Sequence, residues 1–434
     1  MFENCTSLST APILSATTLA NNCCQNMFKN CTSLTAAPIL PALTATANCY
    51  ESMFENCTSL SATPILSATT LNNYCYKNMF ANCSSLTTAP TLPAKTASAN
   101  CYESMFKDCI SLLSSESETA ILTAANYCCY KMFEGCSALL STSLRLNATT
   151  LANNCYQNMF ENCSSLIAAP ILPALTATVS CYQNMFKNCT SLTSAPILPA
   201  TKLTSYCYES MFENCSSLIQ APLTLPALTA TANCYESMFE NCTSLTAAPI
   251  LSATTLNNYC YKNMFKNCTS LTTTPTLPAK TASANCYESM FENCTSLLAA
   301  SELSATTLAN YCYKNMFKNC TSLTAAPILS AKTAVSCCYE SMFENCTSLS
   351  TAPALSATSL YTNSCKYMFY SCSSLNSISV CFNAWNGGNA TVSWVYGVST
   401  AGDFYCNKSL PADPDKNFGE SGIPTGWTVK GYED

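Results

Sequence analysis

The chain has 434 residues, of which only 10 % are charged, with no histidine and a net charge of −6. That balance lacks the basic footprint of a nucleic-acid binder, and the missing histidine removes the commonest general base and the commonest metal ligand. With 48 % apolar residues and only 9 glycines the chain is neither disordered nor collagen-like, and no apolar run is long enough to span a membrane.

One unit repeats from the first residue. All 15 methionines stand in the context Met-Phe-x-Asn-Cys-Thr/Ser-Ser-Leu, from Met1 to Met368; eleven of the fourteen intervals are 26 residues and three are 27. Positions below are counted from this methionine. Met1 already occupies its column, so the chain opens in mid-unit, which predicts either a fragment or a first repeat covered by a partner. The phenylalanine at +1, the cysteine at +4 and the leucine at +7 have no exception. A second cysteine stands at −4 in thirteen repeats, Cys23 to Cys338. Apolar positions −4, −3, 0, +1 and +4 form a stripe near helical period, so Cys49–Cys57 and its equivalents are predicted as a short helix.

The asparagine at +3 is replaced only by Asp108, Gly135 and Ser371. Those residue types tolerate a left-handed backbone, which predicts a helix stop there. The following Leu-Thr-x-x-Pro-Ile-Leu-Pro-Ala, as in Leu34–Ala42, alternates and is closed by proline, which predicts one short parallel strand per repeat. Ala/Thr/Ser-rich residues then lead into the next helix. The prediction is an α/β repeat fold, a solenoid over 1–376, bent so that close-packed strands lie inside wider helices. Near residue 377 the composition changes. Eight of the nine glycines and all three tryptophans follow, which predicts a small β-rich C-terminal cap over 377–434.

The spacing Leu-x-x-x-Pro-x-Leu-Pro, then Cys-Tyr-x-x-Met-Phe-x-Asn-Cys-x-Ser-Leu, resembles the BspA-like leucine-rich repeats of bacterial surface proteins, over residues 1 to about 376. The resemblance implies a leucine-rich-repeat solenoid on a cell surface. The stretch Trp394–Val429 is similar to the tails that close many such proteins in gut bacteria and their phages.

Chemistry-bearing residues are few. The 34 cysteines include no Cys-x-x-Cys, so zinc is not expected, and the two cysteine columns lie too far apart on one predicted helix to bridge. They read as small buried hydrophobes. Cys23-Cys24, Cys128-Cys129, Cys337-Cys338 and the pair Cys381 with Cys406 are the exceptions to weigh. The twelve Asn-Cys-Thr/Ser sequons are poor glycan acceptors if their asparagines cap helices and their cysteines are buried. At +2 the charge alternates along the chain, as in Lys266, Glu292, Lys318 and Glu344, which predicts a 52-residue super-repeat whose opposite signs disfavour slippage by one unit.

No catalytic constellation or cofactor motif is present, so an enzyme is not expected and no cofactor is implied. The expected function is non-catalytic, extracellular or cell-surface binding of a protein or glycan through the strand face. Its candidate contact residues are Thr35, Thr87, Thr193, Thr246, Thr272 and Thr324. Alternatives are a self-assembling element docking through the uncapped first repeat, and a phage receptor-binding fibre on a virion surface. Neither nucleic-acid binding nor membrane insertion is expected. Ice binding by threonine rows is disfavoured, because the same column carries Leu140, Ile167, Ile219 and Leu298.

Overall fold

A computed structural model describes residues 1–115, 121–142, 146–385, 389–408, 410 and 418–431. Residues 411–417 of the tail lie outside them. The chain forms two compact units, Met1–Pro222 and Leu223–Asp434. The division falls in the proline segment Pro222–Pro226, which is one residue longer than its equivalents.

Each unit is a parallel solenoid, but among the described residues it contains no α-helix. The predicted helix is instead a run of overlapping tight turns. In residues 20–31 the amides of Cys23, Gln25, Met27, Lys29 and Cys31 donate to carbonyls three residues back at 3.1–3.3 Å. The alternate amides of Asn22, Cys24, Asn26, Phe28 and Asn30 donate to Ala47, Cys49, Glu51, Met53 and Glu55 of the next coil at 2.8–3.0 Å. Half of the donors close turns and half stitch coils together, so no i to i−4 ladder forms.

This path needs a left-handed residue every fourth position, at −5, −1 and +3. Asn22, Asn26 and Asn30 have φ of 62°, 55° and 63°, and the triplet recurs in every coil from that of Met27 to that of Met368. Each is the third residue of a turn, where a type II geometry requires positive φ. The +3 column was therefore correctly expected to be left-handed, but it ends no helix. Asp108, Gly135 and Ser371 adopt the same conformation.

The apolar period of four places −4, 0 and +4 together with −3 and +1 inside. From Met53 onward the Met, Phe, +4 Cys and +7 Leu side chains are fully buried. Phenylalanine rings stack one per coil, with centroids 5.3–5.6 Å apart from Phe2 to Phe212 in the first unit. They lie 5.5–5.7 Å apart from Phe239 to Phe369 in the second. Burying each ring contributes about 1.5–3 kcal/mol, and the stacked geometry adds about 0.5–1.5 kcal/mol. The +4 thiol donates to the phenylalanine carbonyl one coil back, as Cys57 to Phe28 and Cys294 to Phe265, both 3.1 Å.

The predicted single strand is also corrected. The opposite wall holds three short parallel ladders per coil. The first lies near +9, as Thr88–Ala89 with Ser114–Ser115. The second lies near +13, as Leu40 with Leu66. The third lies at +17 and +18, as Thr44–Ala45 with Thr70–Leu71. Prolines between the first two ladders have no amide to donate and break what would otherwise be one strand. The third ladder falls in the Thr/Ala segment that was expected to be a mere lead-in. Its alternation of exposed threonine and buried alanine or leucine is strand-like.

The bend was predicted because helices need about twice the width of strands. Backbone hydrogen bonds hold both walls at one rung per coil, so that requirement is absent.

The backbone ladder runs on through the compositional change near 377. Phe369 and Ser371 donate to Trp394 and Tyr396 at 2.8 and 2.7 Å, with Trp394 standing where a phenylalanine would be. The strands Ser377–Ser379, Asp403–Cys406 and Thr428–Gly431 form a parallel three-stranded sheet in register. Gly402 is required there, because a Cβ would collide with the carbonyl of Asn376. Phe382, Trp385, Trp394 and Phe404 form one buried aromatic cluster.

Candidate binding surface

The two walls differ in how their polar groups are used. On the turn wall, side chains pair from coil to coil. Lys29 meets Glu55 at 2.9 Å, Lys187 meets Glu213 at 2.8 Å, Lys266 meets Glu292 at 3.3 Å and Lys318 meets Glu344 at 3.0 Å. The alternating charges expected at +2 are thus in contact between neighbouring coils. The +3 asparagines form an amide ladder, with Nδ2 donating to the preceding Oδ1 at 2.6–2.8 Å, as in Asn267, Asn293, Asn319 and Asn345. Those amides are occupied in the ladder, although they do not cap helices as expected.

All 34 cysteines are free thiols, and Cys381 and Cys406 are not bridged. Most are buried; Cys5, Cys23 and Cys381 are exposed. Burial pushes the thiols of Cys109, Cys181, Cys234 and Cys294 up to about 12. They are neutral, unreactive core side chains rather than nucleophiles. Among the described residues no group of three or more potential ligands is placed to hold a metal ion, and no helix is long and apolar enough to cross a membrane.

The predicted contact threonines stand at +8, where the chain leaves the buried +7 leucine. Thr35, Thr87, Thr193, Thr246, Thr272 and Thr324 are all exposed. In the first unit Leu113, Leu140 and Ile167 donate to Thr87, Leu113 and Leu140 at 2.9–3.1 Å, and Ile219 donates to Thr193 at 3.0 Å. In the second unit Leu298 and Thr324 donate to Thr272 and Leu298, both at 3.1 Å. Within each of these runs the column places hydroxyls and bulky apolar groups on successive rungs. The hydroxyls of Thr35 and Thr324 donate to the carbonyl one coil back at 3.3 and 3.2 Å, leaving their methyls and lone pairs outward.

Two further exposed columns escaped the sequence reading. Beside the second ladder stand isoleucines, among them Ile65, Ile197 and Ile328, 66 %, 80 % and 64 % exposed. On the third ladder, the exposed strand position, at +17 in the 26-residue coils and +18 in the 27-residue ones, is threonine in twelve of fourteen coils, Lys202 and Ser359 being the exceptions. These threonines sit opposite one another across paired strands, as Thr229 with Thr255 and Thr281 with Thr307. Their regularity was visible in the sequence, but it lay outside the segment assigned to the strand.

A family model described as BspA type Leucine rich repeat region matches residues 77–177, 131–272 and 306–388. A second, described as a Mycoplasma protein of unknown function, matches residues 1–120. A comparison with curated proteins finds no match. Among solved structures, a leucine-rich repeat protein from Bacteroides ovatus is 16 % identical, with 92 % of this chain and 88 % of that one covered and a TM-score of 0.48. A leucine-rich cell surface protein from Faecalibacterium prausnitzii is 16 % identical, with 70 % and 75 % covered and a TM-score of 0.35. A Listeria monocytogenes internalin is 14 % identical, with 70 % and 76 % covered and a TM-score of 0.26. The chain belongs to the BspA-type leucine-rich repeat proteins.

Proposed function

We propose that this protein is a non-catalytic recognition module, displayed outside the cell or on a cell surface, that binds a protein or glycan through its ladder wall. Leucine-rich repeat proteins are in general binding or adhesion modules. The observation that carries the reading is the +8 column. Its backbone register is uniform, yet its exposed side chains change from Thr87 to Leu113, Leu140, Ile167 and Thr193, as a non-uniform partner requires. The turn wall by contrast uses its charges on itself. Buried thiols are also compatible with an oxidising exterior, because they are kept from reagents. The segment 377–434 closes the solenoid as a cap, with its aromatic cluster covering the last coil.

The test is a screen of the whole chain against bacterial cells, matrix proteins and host glycans, repeated with Thr193→Arg and Thr246→Arg. Loss of a confirmed interaction in these variants supports the ladder wall. If they leave it intact while Lys266→Glu and Glu292→Lys abolish it, the turn wall is the binding face. The exposed isoleucines favour a second reading, association between copies or into a virion fibre, which size measurement at several concentrations separates from simple binding.

A further inference from the structure

The lysines of this chain divide by wall. Among the described residues, nine of the ten turn-wall lysines, Lys29, Lys77, Lys107, Lys131, Lys187, Lys262, Lys266, Lys314 and Lys318, meet a glutamate, and Lys366 lies over the ring of Tyr367 at 4.9 Å. On the third ladder the lysines have no acidic partner among the described residues, and two of them stand close together in the second unit. Lys280 and Lys332 occupy the same exposed +16 column, with Thr306 on the coil between them. The amide of Thr306 donates to the carbonyl of Lys280 at 3.0 Å, and Leu303 and Leu329 pair the intervening coil with the next. The threonines Thr281, Thr307 and Thr333 stand beside them, all exposed. No acid occupies +16 or +17 in this unit, and Glu302 on the second ladder makes no ion pair with either lysine.

From this we infer that Lys280 and Lys332, with the hydroxyls of Thr281, Thr306, Thr307 and Thr333, form a track for an acidic polysaccharide bearing one anionic group per disaccharide. The inference rests on the ladder wall being the recognition surface and names the ligand class for one part of it. Spacing carries the argument. Two rungs separate the lysines, roughly 10 Å at the spacing of neighbouring strands. That is close to the advance of one disaccharide in an extended β-linked polymer, so successive carboxylates meet successive ammonium groups. The hydroxyls between them face the ring hydroxyls of the sugar. In a chain of net charge −6 whose other wall carries more glutamates than lysines, an exposed pair of lysines on the ladder wall gives the local complementarity that such a ligand needs.

The test uses the full chain and immobilised hyaluronan octasaccharide, with a neutral β-linked oligosaccharide and single-stranded DNA as competitors. Binding that weakens with salt, falls at least tenfold in Lys280→Gln/Lys332→Gln, is retained in Lys280→Arg and stays within twofold in Lys266→Gln supports the track. The unfolding midpoints of the variants check that they are folded. The inference is overturned if hyaluronan does not bind, if the double variant binds as well as the parent, if the neutral oligosaccharide competes equally, or if DNA competes equally through the same lysines. Should hyaluronan fail while capture of cells or matrix protein is still lost in Thr246→Arg, this inference falls and the ladder-wall reading survives.

Discussion

The turn wall and the ladder wall are held at the same rung spacing by the same backbone hydrogen bonds, yet their side chains do opposite things. On the turn wall almost every polar group is spent on the next coil, as ion pair, amide ladder or thiol bond to a carbonyl. On the ladder wall the outward groups include isolated lysines, bare isoleucines and a threonine row. A repeat protein must specify which coil follows which while leaving surface for a partner. Here the two tasks are divided between walls. Stability should therefore respond to changes on the turn wall and in the core behind it, and much less to changes on the ladder wall.

The largest expected effect comes from the thiols. A buried cysteine such as Cys109 or Cys294 keeps its proton to about pH 12, whereas in the unfolded chain it titrates near its ordinary value of 9.0. The folded value is the raised one, so the stabilisation is complete below pH 9 and is lost as pH climbs from 9 towards 12. Each such group removes up to about 1.4 kcal/mol per pH unit, and folded domains hold only about 5–15 kcal/mol. Four thiols would exhaust that margin within about two units. Buried phenols such as Tyr102 and Tyr261, also raised by burial, act in the same direction. Circular dichroism under reducing, oxygen-free conditions should show a steep collapse between about pH 10 and 11. Native spectra at pH 11.5 would contradict the neutral buried thiols. At neutral pH, Ellman titration should find only the few exposed thiols until denaturant is added.

Next in size is the ring column. Phe186 is fully buried between Phe160 and Phe212, at 5.6 and 5.5 Å. Phe186→Ala should cost about 3–5 kcal/mol, read as a shift in denaturant midpoint. A cost below about 1 kcal/mol would mean that neighbouring rings close the gap, and that the column is softer than its stacking implies.

How much of this was legible follows from the two walls. The repeat, its buried columns and its charge alternation could be read directly, because invariance at one spacing needs no knowledge of the backbone between. The helix could not be distinguished from the turn run by its apolar stripe. Positions −4, 0, +4 and −3, +1 have a period of 4.0, which over nine residues differs little from 3.6. The discriminating signal was polar. Asparagine, serine or tyrosine recurs at −5, −1 and +3, as in Asn22, Asn26 and Asn30, and no α-helix places a left-handed residue every fourth position. The contact threonines at +8 were found as an exposed column, but the third ladder was missed. Thr44-Ala45 looked like linker beside the proline-marked segment, although it has no proline and its amides are free to make a two-residue strand.

A smaller effect belongs to the turn-wall charges. Lys266→Glu replaces the contact with Glu292 by repulsion between partly exposed groups. The cost should be about 0.5–1 kcal/mol at low ionic strength, shrinking in high salt. An effect that ignores salt would show that packing of the lysine stem, rather than charge, matters there.

The smallest expected effect is the sharpest test of the division. Among the described residues Lys280 and Lys332 make no ion pair, and their backbone carbonyls, not their side chains, hold the next coil: Lys332 accepts the amide of Thr358 at 2.9 Å. Replacing both by glutamine keeps that backbone bond and removes two uncompensated charges from an exposed column. The unfolding midpoint should therefore move by less than about 0.5 kcal/mol, in either salt condition. The same double change made at Lys266 and Lys318 on the turn wall strips contacts from Glu292 and Glu344 and should be salt-sensitive. Equal destabilisation by the two double variants would show that the ladder wall, like the turn wall, is committed to stacking, and that its open lysines are not free for a partner.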